Sequence, residues 1–201
     1  MTGGNPTNTQ LRYRDAERCN LKFPVVIVAI DIDSGVNVGS IFRIADALGV
    51  SKLYLTGGSP TPPSPKIRKT SRATEKAVSY EYVERATEVI AKLRADGYAI
   101  VSLEITTRST DIRKFDARAF DKLALIVGSE NHGVTQPVLD ASDHTLHIPM
   151  FGQNSSMNLA TACAIAVFEI TRQFMPEPLR SVPAAEDLQL PNAEVTGKSD
   201  R

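Results

Sequence analysis

The six residues VVIVAI, Val25–Ile30, form the first long apolar run of the sequence. Nearly all of its side chains are β-branched, which is typical of a β-strand. An apolar run without polar alternation is expected where a strand is covered on both faces, as in a parallel sheet. The run therefore predicts a central strand of an α/β protein.

Apolar runs recur along the chain, and helical patterns lie between them. The further candidate strands are Leu53–Thr56, Tyr98–Glu104, Leu123–Val127 and Thr145–Ile148. The candidate helices contain Ile41, Ile44, Ala45 and Leu48 before Gly49; Ala86, Val89, Ile90 and Leu93 before Gly97; Thr135–Ala141; and Leu159, Ala162, Cys163, Ala166, Val167 and Ile170. This alternation predicts an α/β fold with a mostly parallel sheet and helices on both faces.

Three segments lie outside this alternation. Residues 1–20 are polar and predict a flexible N-terminal segment, whereas residues 57–66, GGSPTPPSPK, predict a loop without regular structure. Residues 176–201 lack helical periodicity, which predicts a disordered tail. The predicted domain therefore spans residues 21–175.

The composition, 42% hydrophobic and 23% charged, predicts a globular chain with a buried core. The net charge is zero, but residues 1–76 hold 11 Lys and Arg against 6 Asp and Glu, an excess of 11 − 6 = 5. This asymmetry is explained by chance and solvated faces, or by a basic patch that faces a polyanion. Both explanations stay open here.

Cysteine content and hydropathy limit the remaining classes. Cys19 and Cys163 have no metal-ligand spacing, so we expect no metal and a reducing compartment. No signal peptide is recognisable, and no run approaches the roughly 20 apolar residues of a membrane span. We therefore expect a soluble, cytoplasmic protein with no membrane association. Phosphate-loop and dinucleotide-binding glycine motifs are also absent from the sequence.

Three loops that follow predicted strands carry glycine and polar residues. The first contains Asn37 and Arg43, the second is Gly128–Val134 (GSENHGV), and the third is Ile148–Asn158 (IPMFGQNSSMN). Because the carboxyl ends of parallel strands lie at one edge of a sheet, we expect these loops to converge on one ligand site. Each loop taken alone is also explained by ordinary turn chemistry.

Several residues near these loops have two interpretations. Arg43 could clamp a phosphate or form a structural salt bridge to Asp46 or Asp31. Glu130 could serve the site, cap a turn or pair with a lysine. The basic stretch 66–76 could be a solvated helix face or contact RNA phosphates. Its candidate RNA-binding residues are Lys66, Arg68, Lys69 and Arg72.

The three loops, in this order, resemble the motifs of the SpoU (TrmH) family of RNA ribose 2′-O-methyltransferases, in the SPOUT superfamily. The motif N-x-G-x-x-x-R-x-A matches Asn37–Ala45, and G-x-E-x-x-G-V matches Gly128–Val134. The motif I-P-M-x-G-x-x-x-S-L-N-V matches Ile148–Leu159, with Met157 and Leu159 in place of the usual leucine and valine. The resemblance covers about residues 25–172.

The resemblance implies a C-terminal trefoil knot that forms a pocket for S-adenosylmethionine. The implied cofactor-binding residues are Leu103, Gly128, Ile148, Met150 and Met157. The implied catalytic residues are Arg43, Asn37, Glu130, Ser156 and Asn158. It also implies a homodimer in which Arg43 of one subunit reaches the pocket of its partner, where it orients the ribose hydroxyl and stabilises the alkoxide.

The implied function is methyl transfer from S-adenosylmethionine to a ribose 2′-hydroxyl of a tRNA or an rRNA. Many relatives carry a further N-terminal RNA-binding domain, whereas about two dozen residues precede the first predicted strand here. The alternative is a catalytically inactive knotted RNA-binding module, which the intact motif residues disfavour. A flavodoxin-like ligand-binding domain would leave the three motifs unexplained.

Overall fold

The computed structural model describes residues 21–176, and within this range seven strands form one sheet. The strands are β1 (Phe23–Ile30), β2 (Val50–Thr56), β3 (Tyr80–Val83), β4 (Ala99–Leu103), β5 (Thr110–Asp111), β6 (Leu123–Val127) and β7 (His144–His147). Their order in the sheet is β3-β2-β1-β6-β4-β7-β5, and every pairing between neighbours is parallel. This arrangement confirms the predicted parallel sheet.

The helices cover both faces of the sheet, as predicted. They are α1 (Gly35–Ala47), α2 (Pro65–Ser71), α3 (Ala86–Ala95), α4 (Gln136–Asp140) and α5 (Leu159–Phe174). Buried side chains of α1, α2 and α5 belong to one hydrophobic cluster, and those of α3 and α4 belong to a second cluster. The sheet therefore lies between two layers of helices.

Strand β1 contributes to both clusters because its side chains alternate between the two faces of the sheet. It lies between β2 and β6, with Val25 in register with Leu123 of β6. Val25, Ile27 and Ala29 belong to the cluster of α1 and α5, and Val26, Val28 and Ile30 belong to the cluster of α3 and α4. Burial on both faces explains why the run lacks polar alternation.

Two helices begin with side-chain caps at the carboxyl edge of the sheet. Ser34 precedes α1, and its hydroxyl accepts a hydrogen bond from the Val36 amide at 3.3 Å. Asn158 precedes α5, and its Oδ1 accepts one from the Thr161 amide at 3.2 Å. Such caps satisfy amides that the first helical turn leaves unpaired. They also hold both helix starts beside the loops that follow the strands.

The structure corrects three details of the sequence prediction. Strands β3 and β5 were not predicted, because both are short and each lies at an edge with one neighbour. Helix α2 begins at Pro65, so the prediction of an irregular loop was wrong for residues 65 and 66. Proline is tolerated there because a first-turn amide has no helical partner.

Other sequence predictions have no structural test. Those for residues 1–20 and for the tail beyond residue 176 lie outside the described residues, and the domain span 21–175 stays a prediction. No helix of the described chain is long and apolar enough to cross a membrane. Between residues 21 and 176 there is also no group of three or more His, Cys, Asp or Glu that could hold a metal ion.

Candidate active site

A cavity of about 680 Å³ opens at the carboxyl ends of β4, β6 and β7, which are neighbours in the sheet. This volume lies within the roughly 300–1,000 Å³ of small-molecule sites. The lining residues are Leu103, Glu104, Ile105, Val127, Gly128, Ser129, Glu130, Gly133, His147, Ile148, Met150, Asn154, Ser156, Met157, Asn158, Leu159 and Ala162. The second and third motif loops therefore share one cavity.

The predicted site residues separate into two groups. All five predicted cofactor-binding residues line the cavity: Leu103, Gly128, Ile148, Met150 and Met157. Glu130, Ser156 and Asn158 of the predicted catalytic set line it as well. Asn37 does not line the cavity, but it forms hydrogen bonds with Glu130 and Asn158, which do. Arg43 lines a different groove.

Asn37 joins the three motif loops. Its buried side-chain amide donates to Glu130 Oε1 at 2.6 Å and its Oδ1 accepts a hydrogen bond from Asn158 Nδ2 at 3.2 Å. Asn158 meanwhile caps α5 with its own oxygen. The polar residues at the start of α5 therefore serve both the helix cap and the site, so capping alone accounts for only part of them.

Glu130 receives hydrogen bonds from the segment before α1. Oε2 accepts from the Asp33 amide at 2.8 Å, and Oε1 accepts from the Ser34 amide at 3.2 Å as well as from Asn37. Partial burial by itself would raise the pKa of Glu130, but these donors outweigh it and hold the pKa below its ordinary value. Within the described residues no lysine pairs with Glu130. The carboxylate thus caps the turn before α1 and faces the cavity.

The second motif loop folds back tightly on itself. Ser129 and Gly133 exchange backbone hydrogen bonds of 3.2 and 2.9 Å. A Cβ on Gly128 would lie 2.1 Å from the backbone carbon and oxygen of Gly133, so only glycine fits there without a shift of backbone. The Glu104 carboxylate closes the loop by accepting the Val134 amide at 2.8 Å.

Arg43 is exposed on α1, six residues after Asn37 and so about 9 Å further along the helix axis. It forms no salt bridge with any residue between 21 and 176, so the predicted alternatives at Asp46 and Asp31 are not observed. It lines a groove of about 580 Å³, here called the arginine groove. The lining residues are Ser40, Arg43, Ile44, Ala47, Leu48, Lys69, Thr70, Arg72 and Ala164.

The four predicted RNA-binding residues lie on α2 or directly after it: Lys66, Arg68, Lys69 and Arg72. All four are exposed, whereas the buried residues of α2 are Ile67 and Ser71. The part of the stretch within α2 is therefore a solvated helix face, whereas Arg72 and the residues up to 76 lie beyond the end of this helix. A role of the stretch in RNA binding stays a prediction. Two of its cations, Lys69 and Arg72, line the arginine groove beside Arg43.

Two ionisable residues of the cavity, Glu104 and His147, were not predicted from the sequence. Glu104 directly follows β4, and its carboxylate accepts the backbone amide of Ile105 at 2.9 Å. His147 ends β7, and its Nδ1 lies 3.0 Å from the Ser109 hydroxyl. Their positions at the carboxyl ends of strands were the only available signal, since neither belongs to a motif.

The parallel sheet, the cavity lined by two motif loops and the link of Asn37 to both of them define an α/β protein with a cavity of small-molecule size at the carboxyl edge of its sheet. Comparison with known proteins identifies the family. The chain belongs to the SpoU rRNA Methylase family, whose model matches residues 24–168. The resemblance inferred from the three motifs is thereby confirmed.

Individual relatives agree with this assignment. A Staphylococcus saprophyticus protein, named as a TrmH family tRNA/rRNA methyltransferase, is 29% identical over 152 residues, or 76% of this chain and 60% of that protein. The crystal structure of the A. aeolicus TrmH/SpoU tRNA modifying enzyme is 25% identical, with a TM-score of 0.69 over 77% of each chain. An rRNA methyltransferase from Sinorhizobium meliloti with AdoMet bound is 26% identical, with a TM-score of 0.71 over 76% of this chain and 57% of that one. This chain thus spans about 60% of the length of the curated relative.

Proposed function

We propose that this protein transfers a methyl group from S-adenosylmethionine to a ribose 2′-hydroxyl of a tRNA or an rRNA. The observation that carries the proposal is that the second and third motif loops line one cavity and that Asn37 of the first loop is hydrogen-bonded to Glu130 and Asn158 on its lining. The S. meliloti relative was solved with AdoMet bound, which supports this choice of cofactor.

The residues of the cavity fit such a cofactor. Apolar side chains of Leu103, Ile148 and Met157 offer surfaces for a flat adenosine, and the tight turn at Gly128 opens backbone atoms to the ligand. When bound, S-adenosylmethionine supplies a methyl group that is activated by its sulfonium charge. The ionised Glu130 stands on the same lining and favours a cationic ligand nearby.

Residues of this protein must then position the ribose and assist the loss of the proton from its 2′-hydroxyl. As the bond from the 2′-oxygen to the methyl carbon forms, the hydroxyl must give up its proton to an acceptor. The guanidinium of Arg43 is a poor base because an arginine side chain is already protonated and offers donors but no acceptor. We therefore assign it to orienting the hydroxyl and stabilising the developing alkoxide, while Glu130, Asn37 and Asn158 hold the loops in place.

We propose a homodimer, because Arg43 does not line the cavity of its own chain. Exposed apolar side chains support a subunit interface beside it: Val36 on α1 is 43% exposed, and Ile165 and Phe168 on α5 are 40% and 54% exposed. A second copy that covers this surface could bring its Arg43 to the mouth of the first copy's cavity.

We also propose the trefoil knot implied by the family. The sheet order supports it, because β6 lies between β1 and β4, and β7 lies between β4 and β5. Later strands are thus inserted between earlier ones, and α5 then packs on the face of β1 and β6. Knotted connections are rare, so this topology would be a specific property of the family.

We assign RNA contact to the basic residues on α2 and directly after it. The cations Lys66, Arg68, Lys69 and Arg72 have no ion-pair partner within residues 21–176, which leaves them available to phosphates. The arginine groove adds Arg43 to two of them. A cytoplasmic location stays a prediction from the sequence.

The proposal is tested with S-adenosylmethionine that carries a radiolabelled methyl group, together with total tRNA or total rRNA. We expect the wild type to label RNA, and we expect the labelled linkage to resist alkali because cleavage needs a free 2′-hydroxyl. The Arg43→Ala variant should bind the cofactor and transfer little label. If the wild type binds both ligands without transfer, the inactive RNA-binding module is the correct alternative. Alkali-sensitive label would mean that a different position is methylated.

A further inference from the structure

His147 ends β7 and lines the cavity, yet it belongs to none of the three motifs. Its Nδ1 lies 3.0 Å from the hydroxyl oxygen of Ser109. That hydroxyl also accepts the Thr106 amide at 3.0 Å and donates to the Thr106 carbonyl at 2.9 Å. The imidazole is therefore hydrogen-bonded to the turn formed by residues 106–109.

This pattern assigns the tautomer of the neutral ring. A serine hydroxyl has one proton, and we assign the proton of Ser109 to the carbonyl of Thr106, which lies 2.9 Å from the hydroxyl oxygen. With this assignment Nδ1 of His147 donates to Ser109, and the single N–H of the neutral imidazole is on Nδ1. Nε2 is consequently an unprotonated acceptor, and it has no hydrogen-bond partner among residues 21–176.

Glu104 lines the same cavity, and its carboxylate is already engaged by backbone amides. The two carboxylate oxygens of Glu104 accept the amides of Ile105 and Val134. The cavity lining also includes the apolar Leu103 and Ile148, which suit a flat nucleoside better than the charged amino-acid end of a cofactor. An unpaired acceptor in such a cavity is complemented by a neutral donor on the ligand.

We propose that Nε2 of His147 accepts a hydrogen bond from the adenosine half of the bound cofactor, which makes His147 a cofactor-binding residue. This inference rests on the proposed function. The donor is either the 6-amino group or a ribose hydroxyl, which share the chemistry of a neutral N–H or O–H.

A matched pair of variants isolates Nε2. In His147→Asn the side-chain amide can occupy the position of Nδ1 and keep the contact with Ser109, but no atom replaces Nε2. In His147→Gln the longer side chain can place its amide oxygen near the position of Nε2. We expect titration calorimetry with S-adenosylhomocysteine to give an affinity about 3- to 10-fold weaker for His147→Asn. His147→Gln should stay within about threefold of the wild type on the same reasoning.

Two analogues of S-adenosylhomocysteine identify the donor, one without the 6-amino group and one with hydrogen in place of a ribose hydroxyl. The analogue that lacks the true donor should bind the wild type and His147→Asn equally. Equal affinity of both proteins for unmodified S-adenosylhomocysteine would overturn the inference. If the wild type still labels RNA in that case, the proposed function survives. If the wild type binds no cofactor at all, the proposed function itself has failed.

Nitrogen NMR of histidine-labelled protein gives a readout independent of affinity. The chain has three histidines, so the spectrum of His147→Asn assigns the signals of His147 by subtraction. We expect a protonated Nδ1 and an unprotonated Nε2 in the neutral ring, and a change of the Nε2 resonance when S-adenosylhomocysteine is added. A protonated Nε2 in the wild type would contradict the assigned tautomer and the proposal with it.

Discussion

The side-chain amide of Asn37 donates to Oε1 of Glu130 at 2.6 Å, although the two residues are 93 positions apart in the chain. The oxygen of the same amide accepts from Asn158 at 3.2 Å. Because donor and acceptor ends of Asn37 are both used, its orientation is determined and the first loop is held to the other two. A single buried side chain therefore links all three motif loops.

Glu130→Gln should destabilise the protein by about 1 kcal/mol at pH 7, because a neutral amide cannot accept all the hydrogen bonds that the carboxylate accepts. The folded pKa of Glu130 lies below its ordinary value of 4.5, so its contribution is present above pH 4.5 and is lost as the pH falls through the folded pKa. The difference between wild type and variant should therefore shrink in acid.

Denaturant unfolding of both proteins from pH 7 to pH 3 measures this difference. The matched control is Asp143→Asn. The Asp143 carboxylate accepts the Ile100 amide and pairs with Arg94, and its pKa is also lowered. Asp143 does not line the cavity. This control should lose stability and keep its affinity for S-adenosylhomocysteine. A difference for Glu130→Gln that is independent of pH would refute the assigned role of the carboxylate.

Gly128→Ala should cost about 1–3 kcal/mol of stability and at least roughly tenfold in cofactor affinity, because its Cβ would overlap the backbone of Gly133. Gly152→Ala is the control in the neighbouring loop, where no atom lies within 4 Å of an added Cβ. Thermal unfolding and calorimetry with S-adenosylhomocysteine measure both effects. If the two alanine variants behaved alike, the close approach of Gly128 to the backbone of Gly133 would be irrelevant to cofactor binding.

Arg43→Ala should reduce methyl transfer by about 100-fold or more, as expected for a lost group that stabilises a developing charge. Its stability should be unchanged, because Arg43 is exposed and forms no salt bridge within the described chain. Labelled transfer to RNA and thermal unfolding provide the two measurements.

Mixing Arg43→Ala with Gly128→Ala tests whether the arginine acts across subunits. A mixed dimer would contain one complete site, made of an intact cavity and the Arg43 of the other chain. At a cofactor concentration well below the dissociation constant of Gly128→Ala, random mixing of the two variants should then restore about one quarter of the wild-type activity. Native mass spectrometry verifies that mixed dimers form. Mixed dimers without recovered activity would show that Arg43 acts within its own subunit.

Lys69→Ala and Arg72→Ala should each weaken RNA binding and lower the slope of log affinity against log salt by about 1. Both cations are exposed and line the arginine groove. Arg85→Ala is the control, because it removes the same charge from the start of α3, where Arg85 pairs with Glu88. Fluorescence anisotropy with labelled total tRNA, at roughly 50–200 mM salt, measures the slopes. Equal slopes for all three variants would exclude a specific role for α2.

Sequence patterns identified much of the fold because local burial determines them. The all-apolar run of β1 required cover on both faces, and the periodic stripe of α5 required a buried side. The edge strands β3 and β5 were not predicted, because a strand with one neighbour has a weak apolar pattern. The start of α2 at Pro65 was not predicted for a different reason, because proline is common in loops as well as in the first turn of a helix.

By itself, the sequence determined the class of fold, the family and the residues at the three loops, because burial patterns and motif spacings depend only on the order of residues along the chain. Only the tertiary structure decided that Asn37 lies between Glu130 and Asn158, that Glu104 and His147 complete the cavity, and that Arg43 faces another groove. The physical reason is that hydrogen bonds and cavity walls depend on distances in space. Strand order brings residues about 100 positions apart into contact, and no local pattern encodes that order.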